Sequence, residues 1–187
     1  MKRVFALLLA GTALTFTACT SNTEVKGMND KDSSGAKMST SSASDSKEMK
    51  DERNKNIALQ SIEGVNKHDP ATVLKDALEN TEDYGDGSGR VMKGKDSLMT
   101  MIKAWFTAFP DVKGENLKAA ADGEWVVVWG NWSGTWKGDY MGQKATGKTY
   151  HLRDADIFRI NDEGKITEHH SLSTWPAMAA QIGMKMQ

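Results

Sequence analysis

One cysteine in 187 residues leaves no internal disulfide to brace the fold, so stability must come from a buried core. Histidine is also scarce, with four in the chain. The adjacent His169–His170 pair is no exception to the poverty of metal ligands, because neighbours on a strand point to opposite sides of a sheet. A zinc site is therefore not expected, and the metal-ligand set is read as none. No basic stripe interleaved with aromatic residues is present, which argues against a nucleic-acid partner. After Leu14 no segment is long and apolar enough to span a bilayer.

What is present first is an export signature. Lys2 and Arg3 precede an apolar stretch, Val4–Leu14, of signal-peptide length. Phe16-Thr17-Ala18-Cys19 resembles a bacterial lipobox, which implies cleavage after residue 18, lipidation of Cys19 and an exported, membrane-anchored lipoprotein facing the periplasm or cell exterior. Losing Lys2 and Arg3 would take 24 basic residues to 22 against 25 acidic ones, a mildly acidic mature chain. Residues 20–48 hold eight serines in 29 positions and almost no large apolar side chain, so they read as a disordered tether. The organisation expected is a signal peptide over 1–18, lipidated Cys19 and tether over 19–48, and one domain over 49–187.

In that domain the apolar period is first helical and then alternating. Ala58, Ile62 and Val65 predict a helix over about 48–66. Asp69 and Pro70 supply an N-cap and a first helical residue for a second helix, with Val73, Leu74, Ala77 and Leu78 on it. A short strand is expected at Glu82–Tyr84. The clearest helix follows: Asp96 is the candidate N-cap, Leu98, Met101, Ile102, Trp105 and Phe109 share a face, and Pro110 ends it. Strands are expected over 116–123, 124–136, 149–160 and 166–173, with a loop at 137–148, a turn at 161–165 and a last short helix from Trp175. Helices first and antiparallel strands afterwards predict an α+β fold, a curved sheet wrapped around the early helices and enclosing a pocket.

Gly142–Thr149 matches the phosphate-loop pattern G-x-x-x-x-G-K-T letter for letter. That chemistry needs a strand before the loop and a helix after it. Thr149–Ile160 reads as a strand, so the match is taken as a sheet-connecting loop. Strand parity then sorts the polar residues. Leu152, Asp154, Asp156, Phe158 and Ile160 share one face; Thr167, His169, Ser171 and Ser173 share another. His169 beside Asp154 and Asp156 fits either a proton-transfer group or a half-buried histidine paired with an acid. Six tryptophans are present, and four fall between 125 and 136. Trp125 and Trp129 have one parity, Trp132 and Trp136 the other. One set suits a pocket for a flat apolar ligand, the other a dimer interface, and plain core packing accommodates at least two of them.

"FTAFPDVKGEN", the run from Gly123 to His170 and "QIG" at 181–183 together resemble the SnoaL-like polyketide cyclase or ester cyclase branch of the nuclear transport factor 2-like superfamily. The resemblance covers about residues 53–183. Its most specific pieces are AFPD, TGK, DIFRI and GKITEH. It implies a conical α+β domain, homodimers, and ring closure by an intramolecular aldol reaction with no cofactor. The acid that such cyclases keep two residues after the histidine of the last strand is Ser171 here, a histidine on the preceding strand is Asp156, and the tryptophan and acid that follow are Ser173 and Thr174. The resemblance also adds Tyr84 and Trp105 to the pocket. Three functions follow. The first is a pocket for a small apolar or aromatic molecule, with Tyr84, Trp105, Trp132, Trp136 and Ser171 as ligand-binding residues. The second is a cyclase- or isomerase-type enzyme with Asp156, Asp154 and His169 as its acid–base groups. The third is a protein-interaction module.

Overall fold

Helix α1, Ser39–Asn66, is the longest element and lies against the sheet. In the computed structural model the described residues are 39–85, 89–172 and 175–185. The helix begins at Ser39, inside the stretch read as tether, and residues 43–49 are exposed along it. Such a solvated first part is propagated from the packed part rather than held by burial. Lys47 nonetheless reaches Asp122 at 2.8 Å, so the domain's contacts start before residue 49.

Polar clips fix α1 to the sheet. Fully buried Asn54 donates to the Gly123 carbonyl at 2.8 Å, and Asp51 accepts from the Gly123 N–H at 2.8 Å. At the other end Asn66 donates to the Gly114 carbonyl and accepts from its N–H. Ala58, Ile62 and Val65 are buried between these clips, as their spacing predicts.

Helix α2 is one turn, Pro70–Val73. Asp69 caps it, accepting from the Ala71 N–H at 3.0 Å. The expected continuation through Leu78 is not made. Strand β1, Ala77–Asp83, starts there instead and runs parallel to β6, Ile166–Ser171, with the Ile166 N–H donating to Asp76. Pairing with β6 at Ala77 and again at Glu82 and Asp83, with a register shift between, overrides the helical propensity of Ala77, Leu78 and Glu79. The short strand β2, Met92–Lys93, pairs with the end of β1.

Helix α3, Lys95–Ala108, starts one residue earlier than its expected cap. Gly94, at φ 88°, is the N-cap and donates its N–H to Thr81, while Asp96 sits in the first turn. Strands β3 (Lys113–Asp122), β4 (Trp125–Thr135) and β5 (Thr149–Ile160) complete a six-stranded sheet in the order β2-β1-β6-β5-β4-β3. Helix α4, Trp175–Ile182, packs on β5. The architecture is α+β, an open curved sheet with helices on its inner face.

The phosphate-loop look-alike lies in the β4–β5 connection. Thr149 opens β5 rather than a helix. Trp136 donates its N–H to Lys148, and Gly147, at φ 72°, donates to Trp136, so TGK closes the hairpin. Thr146 also donates to the Ile182 carbonyl at 2.6 Å and ties down the end of α4.

Candidate functional site: a carboxylate–histidine chain in an apolar cone

The helices and the inner sheet face enclose a cavity of about 900 Å³. Its wall is mostly apolar: Ile62 and Val65 from α1, Leu98, Met101 and Ile102 from α3, and Leu152 and Phe158 from β5. Trp105, Trp132, Tyr140 and Trp175 add aromatic surface. Polar groups concentrate on three neighbouring strands, as Thr81 and Asp83 of β1, Asp154 and Asp156 of β5, and His169 and Ser171 of β6.

Register explains the convergence. On one side of His169 the parallel partner is Asp83. On the other its antiparallel partner is Phe158, and Asp156 is two residues along, opposite Ser171. Residues two apart on a strand share a face, so all of these side chains enter the cone together. The His169 Nδ1 lies 2.9 Å from an Asp83 oxygen and its Nε2 lies 3.3 Å from Asp156 Oδ1. The Gly85 N–H donates to the other Asp83 oxygen.

The electrostatics follow from this chain of contacts. Burial by itself favours the neutral imidazole, but the hydrogen bonds and charges of Asp156 and Asp83 outweigh it and raise His169 from 6.5 to about 10. At neutral pH His169 is therefore an imidazolium donating from both nitrogens. Burial pushes Asp83 upward, yet His169 and the Gly85 N–H hold it below the usual carboxylate range. Tyr140 is raised, first by burial and then by the nearby Asp83.

The structure brings Asp154, Asp156, His169, Ser171, Trp105 and Trp132 to the cavity wall. Asp154 accepts from the Ala155 N–H. Two other named residues lie elsewhere. Trp136 is packed in the core, 1% exposed, with its indole N–H donated to Gly138. Tyr84 stacks on His170 at 4.5 Å and donates to Glu82, on the side of β6 opposite His169. The two histidines diverge as parity predicts. His170 also meets Trp125, over which Arg159 sits while bridging Glu124 and Glu168. Cys19, Ser173 and Thr174 lie outside the described residues. Among the described residues no group of three or more histidine, cysteine or acidic side chains is arranged to hold a metal ion.

Sequence reasoning missed Asp83. Its signal was parity within a strand whose first residues, Ala77 and Leu78, read as the end of a helix; a strand over 77–83 would have raised the question of which face Asp83 takes.

A cone of helices on a curved sheet, with a polar cluster inside an apolar cavity, defines a pocketed domain of the nuclear transport factor 2-like class. The chain belongs to the SnoaL-like polyketide cyclase family, whose match spans residues 55–182. Solved structures agree on the fold. A protein of Jannaschia sp. CCS1 assigned as a SnoaL-like polyketide cyclase superposes with a TM-score of 0.64 at 17% identity, covering 73% of this chain and 96% of that one. One of Xanthomonas campestris pv. campestris assigned as a polyketide cyclase gives 0.65 at 18%, covering 71% and 98%. AclR of Streptomyces galilaeus, assigned as a hydroxylase, gives 0.60 at 20%, covering 73% and 88%. Different assigned activities on one fold show that the fold alone does not fix the chemistry. No curated protein sequence matches the chain at a significant level.

Proposed function

We propose that this domain binds a small, largely apolar molecule in its cone and sets a polar end of that molecule against Asp156 and His169. The supporting observation is the cavity of about 900 Å³, apolar over most of its wall and polar on one patch. A neutral environment-sensitive dye, N-phenyl-1-naphthylamine, tests it. The dye should brighten and saturate with the parent protein. Met101→Trp, which fills the cavity from α3, should weaken binding about tenfold or more while the circular dichroism spectrum is kept. Equal binding by both proteins would place the dye elsewhere and sink the reading.

The carboxylate–histidine chain supports a second reading, proton transfer at Asp156. His169 has both nitrogens engaged, so it serves as the group that orients Asp156 and not as a base for Ser171. The Asp156 carboxylate is the candidate acceptor, with Ser171 beside it in place of an acid. A generic carbon acid of the right shape, 5-nitrobenzisoxazole, reports on this. Asp156→Asn should slow its base-catalysed ring opening by about tenfold or more. An unchanged rate would remove catalysis from the proposal.

Two further features belong to the same proposal. Lipidated Cys19 would anchor the exported domain to a membrane, supported by the lipobox-like sequence. Two copies would pair through the outer sheet face, supported by Trp125 and Trp129, 44% and 41% exposed on one face of β4.

A further inference from the structure

Among the described residues three polar side chains are buried: Asn54, Ser61 and Thr81. Two of them are satisfied by the fold. Asn54 donates to the Gly123 carbonyl at 2.8 Å, and the Ser61 hydroxyl donates to the Val73 carbonyl at 2.9 Å. Thr81, on β1, is 2% exposed, and its hydroxyl has no hydrogen-bond partner among the described residues. It does not cap α3, whose first turn has no side-chain cap, although the Gly94 N–H donates to the Thr81 backbone carbonyl. Three other unpartnered side-chain atoms, His68 Nε2, Trp132 Nε1 and His170 Nε2, are sealed from all open space. The Thr81 oxygen is not one of these sealed atoms. Thr81 lines the cavity and is shielded from bulk water, so the space its hydroxyl faces is the cone. A strand needs no hydroxyl there, because valine has the same branched shape and a similar strand preference. A buried hydroxyl without a partner is unfavourable, and a group that enters the cone can supply one.

We propose that Thr81 is a specificity-determining residue: its hydroxyl bonds a carbonyl or hydroxyl oxygen on the ligand's apolar body, at a point separate from Asp156 and His169. Thr81 and Asp83 share a face of β1, about 7 Å apart along the strand, and His169 is opposite Asp83 about 5 Å across. Two fused rings bridge that span. The two Asp83 oxygens are already engaged by His169 and the Gly85 N–H, so the chain of acids and histidine does not itself answer Thr81. The inference rests on the reading that the cavity binds a small apolar molecule, and it adds a second oxygen to that molecule at a fixed distance from its polar end.

The test measures affinity by isothermal titration calorimetry at neutral pH for three probes on one frame: 2-naphthol, naphthalene-2,6-diol and naphthalene-2,3-diol. The unaltered protein should bind the 2,6-diol about five- to tenfold more tightly than 2-naphthol. The 2,3-diol, whose second oxygen stands beside the first, should not share that gain. In Thr81→Val the ratio of the 2,6-diol's affinity to that of 2-naphthol should fall to about one or below. The urea midpoint of Thr81→Val should be no lower than that of the parent, because valine keeps the shape and leaves no hydrogen bond unmade. A lower midpoint would show that the fold already satisfies the hydroxyl, and it overturns the subsite. Equal binding of the 2,6-diol and 2-naphthol by the parent, a 2,3-diol that matches the 2,6-diol, or a ratio unmoved by Thr81→Val also overturns it and leaves the binding reading standing. If none of the three probes binds, both fall.

Discussion

His169 is held by two acids from two different strands, and its raised proton affinity has a consequence for stability. In the unfolded chain it titrates near 6.5 and in the folded protein near 10. A group whose folded value is raised stabilises fully below the unfolded value and loses that contribution as pH rises through the folded one. Stability of the parent relative to His169→Gln should therefore be greatest below about pH 6.5, fall between 6.5 and 10, and level off above. Asp83 contributes with the opposite sense: it titrates below its usual value of 3.8, so its contribution is lost as pH falls through the acid range. Urea unfolding of parent and variant across pH checks the first statement; a difference that stays flat from pH 6 to 10 would show that the imidazolium chain is not formed. At this scale the sequence was informative where strands were long. Alternation grouped Asp154 with Asp156 on one face and parted His169 from His170, but both faces of the strand over 149–160 are mixed, so the inner side was decided by the fold. Nor could alternation supply Asp83, because its partnership with His169 is a contact between residues 86 positions apart in the chain.

Between elements, α1 and α2 approach closely at Gly64. A Cβ there would stand 2.5 Å from the Val73 backbone nitrogen and 2.9 Å from the Thr72 carbonyl carbon. Backbone atoms cannot yield as a side-chain tip does, so α2 touches α1 only because residue 64 has no side chain. Alanine gains about 1 kcal/mol of helix propensity over glycine, but overpacking costs about 1–3 kcal/mol and here acts on backbone. Gly64→Ala should lower stability by about 1–2 kcal/mol in urea unfolding, and a stabilised variant would refute the contact. Element boundaries also show where local patterns fail. Val, Trp and Phe alternate through β4 and β5, and both strands fall within a residue of their expected limits. Ala77–Asp83 has a single β-branched residue, Thr81, and its strand exists because β6 offers it a ladder. The tryptophans divide as their parity requires: Trp132 and Trp136 are buried, Trp125 and Trp129 exposed.

For the whole molecule, the outer sheet face and the N-terminal segment carry the remaining predictions. Analytical ultracentrifugation should find a dimer that Trp129→Glu shifts to monomer, since a charge at the centre of an apolar interface is left unpaired. A parent that sediments as a monomer at all concentrations would discard that pairing. Cys19→Ser should move the protein from the membrane fraction to the soluble one, and an unchanged fraction would discard the lipid anchor. The sequence by itself determined the α+β class, the order of most elements, the family and which residues of the last two strands share a face. Those rest on periodicity and short motifs, which are local. Only the tertiary structure decided that β1 lies parallel beside β6, that Asp83 joins His169 there, and that Tyr84 and Trp136 stay away from the cavity. The pairings of Asp83 and Tyr84 with the histidines of β6 join distant segments, fixed when sheet register and helix contacts form together, and no window of sequence contains both partners. EHHSLS is thus legible as a strand that sends one histidine inward, while the charge state of that histidine belongs to the acids the fold brings to it.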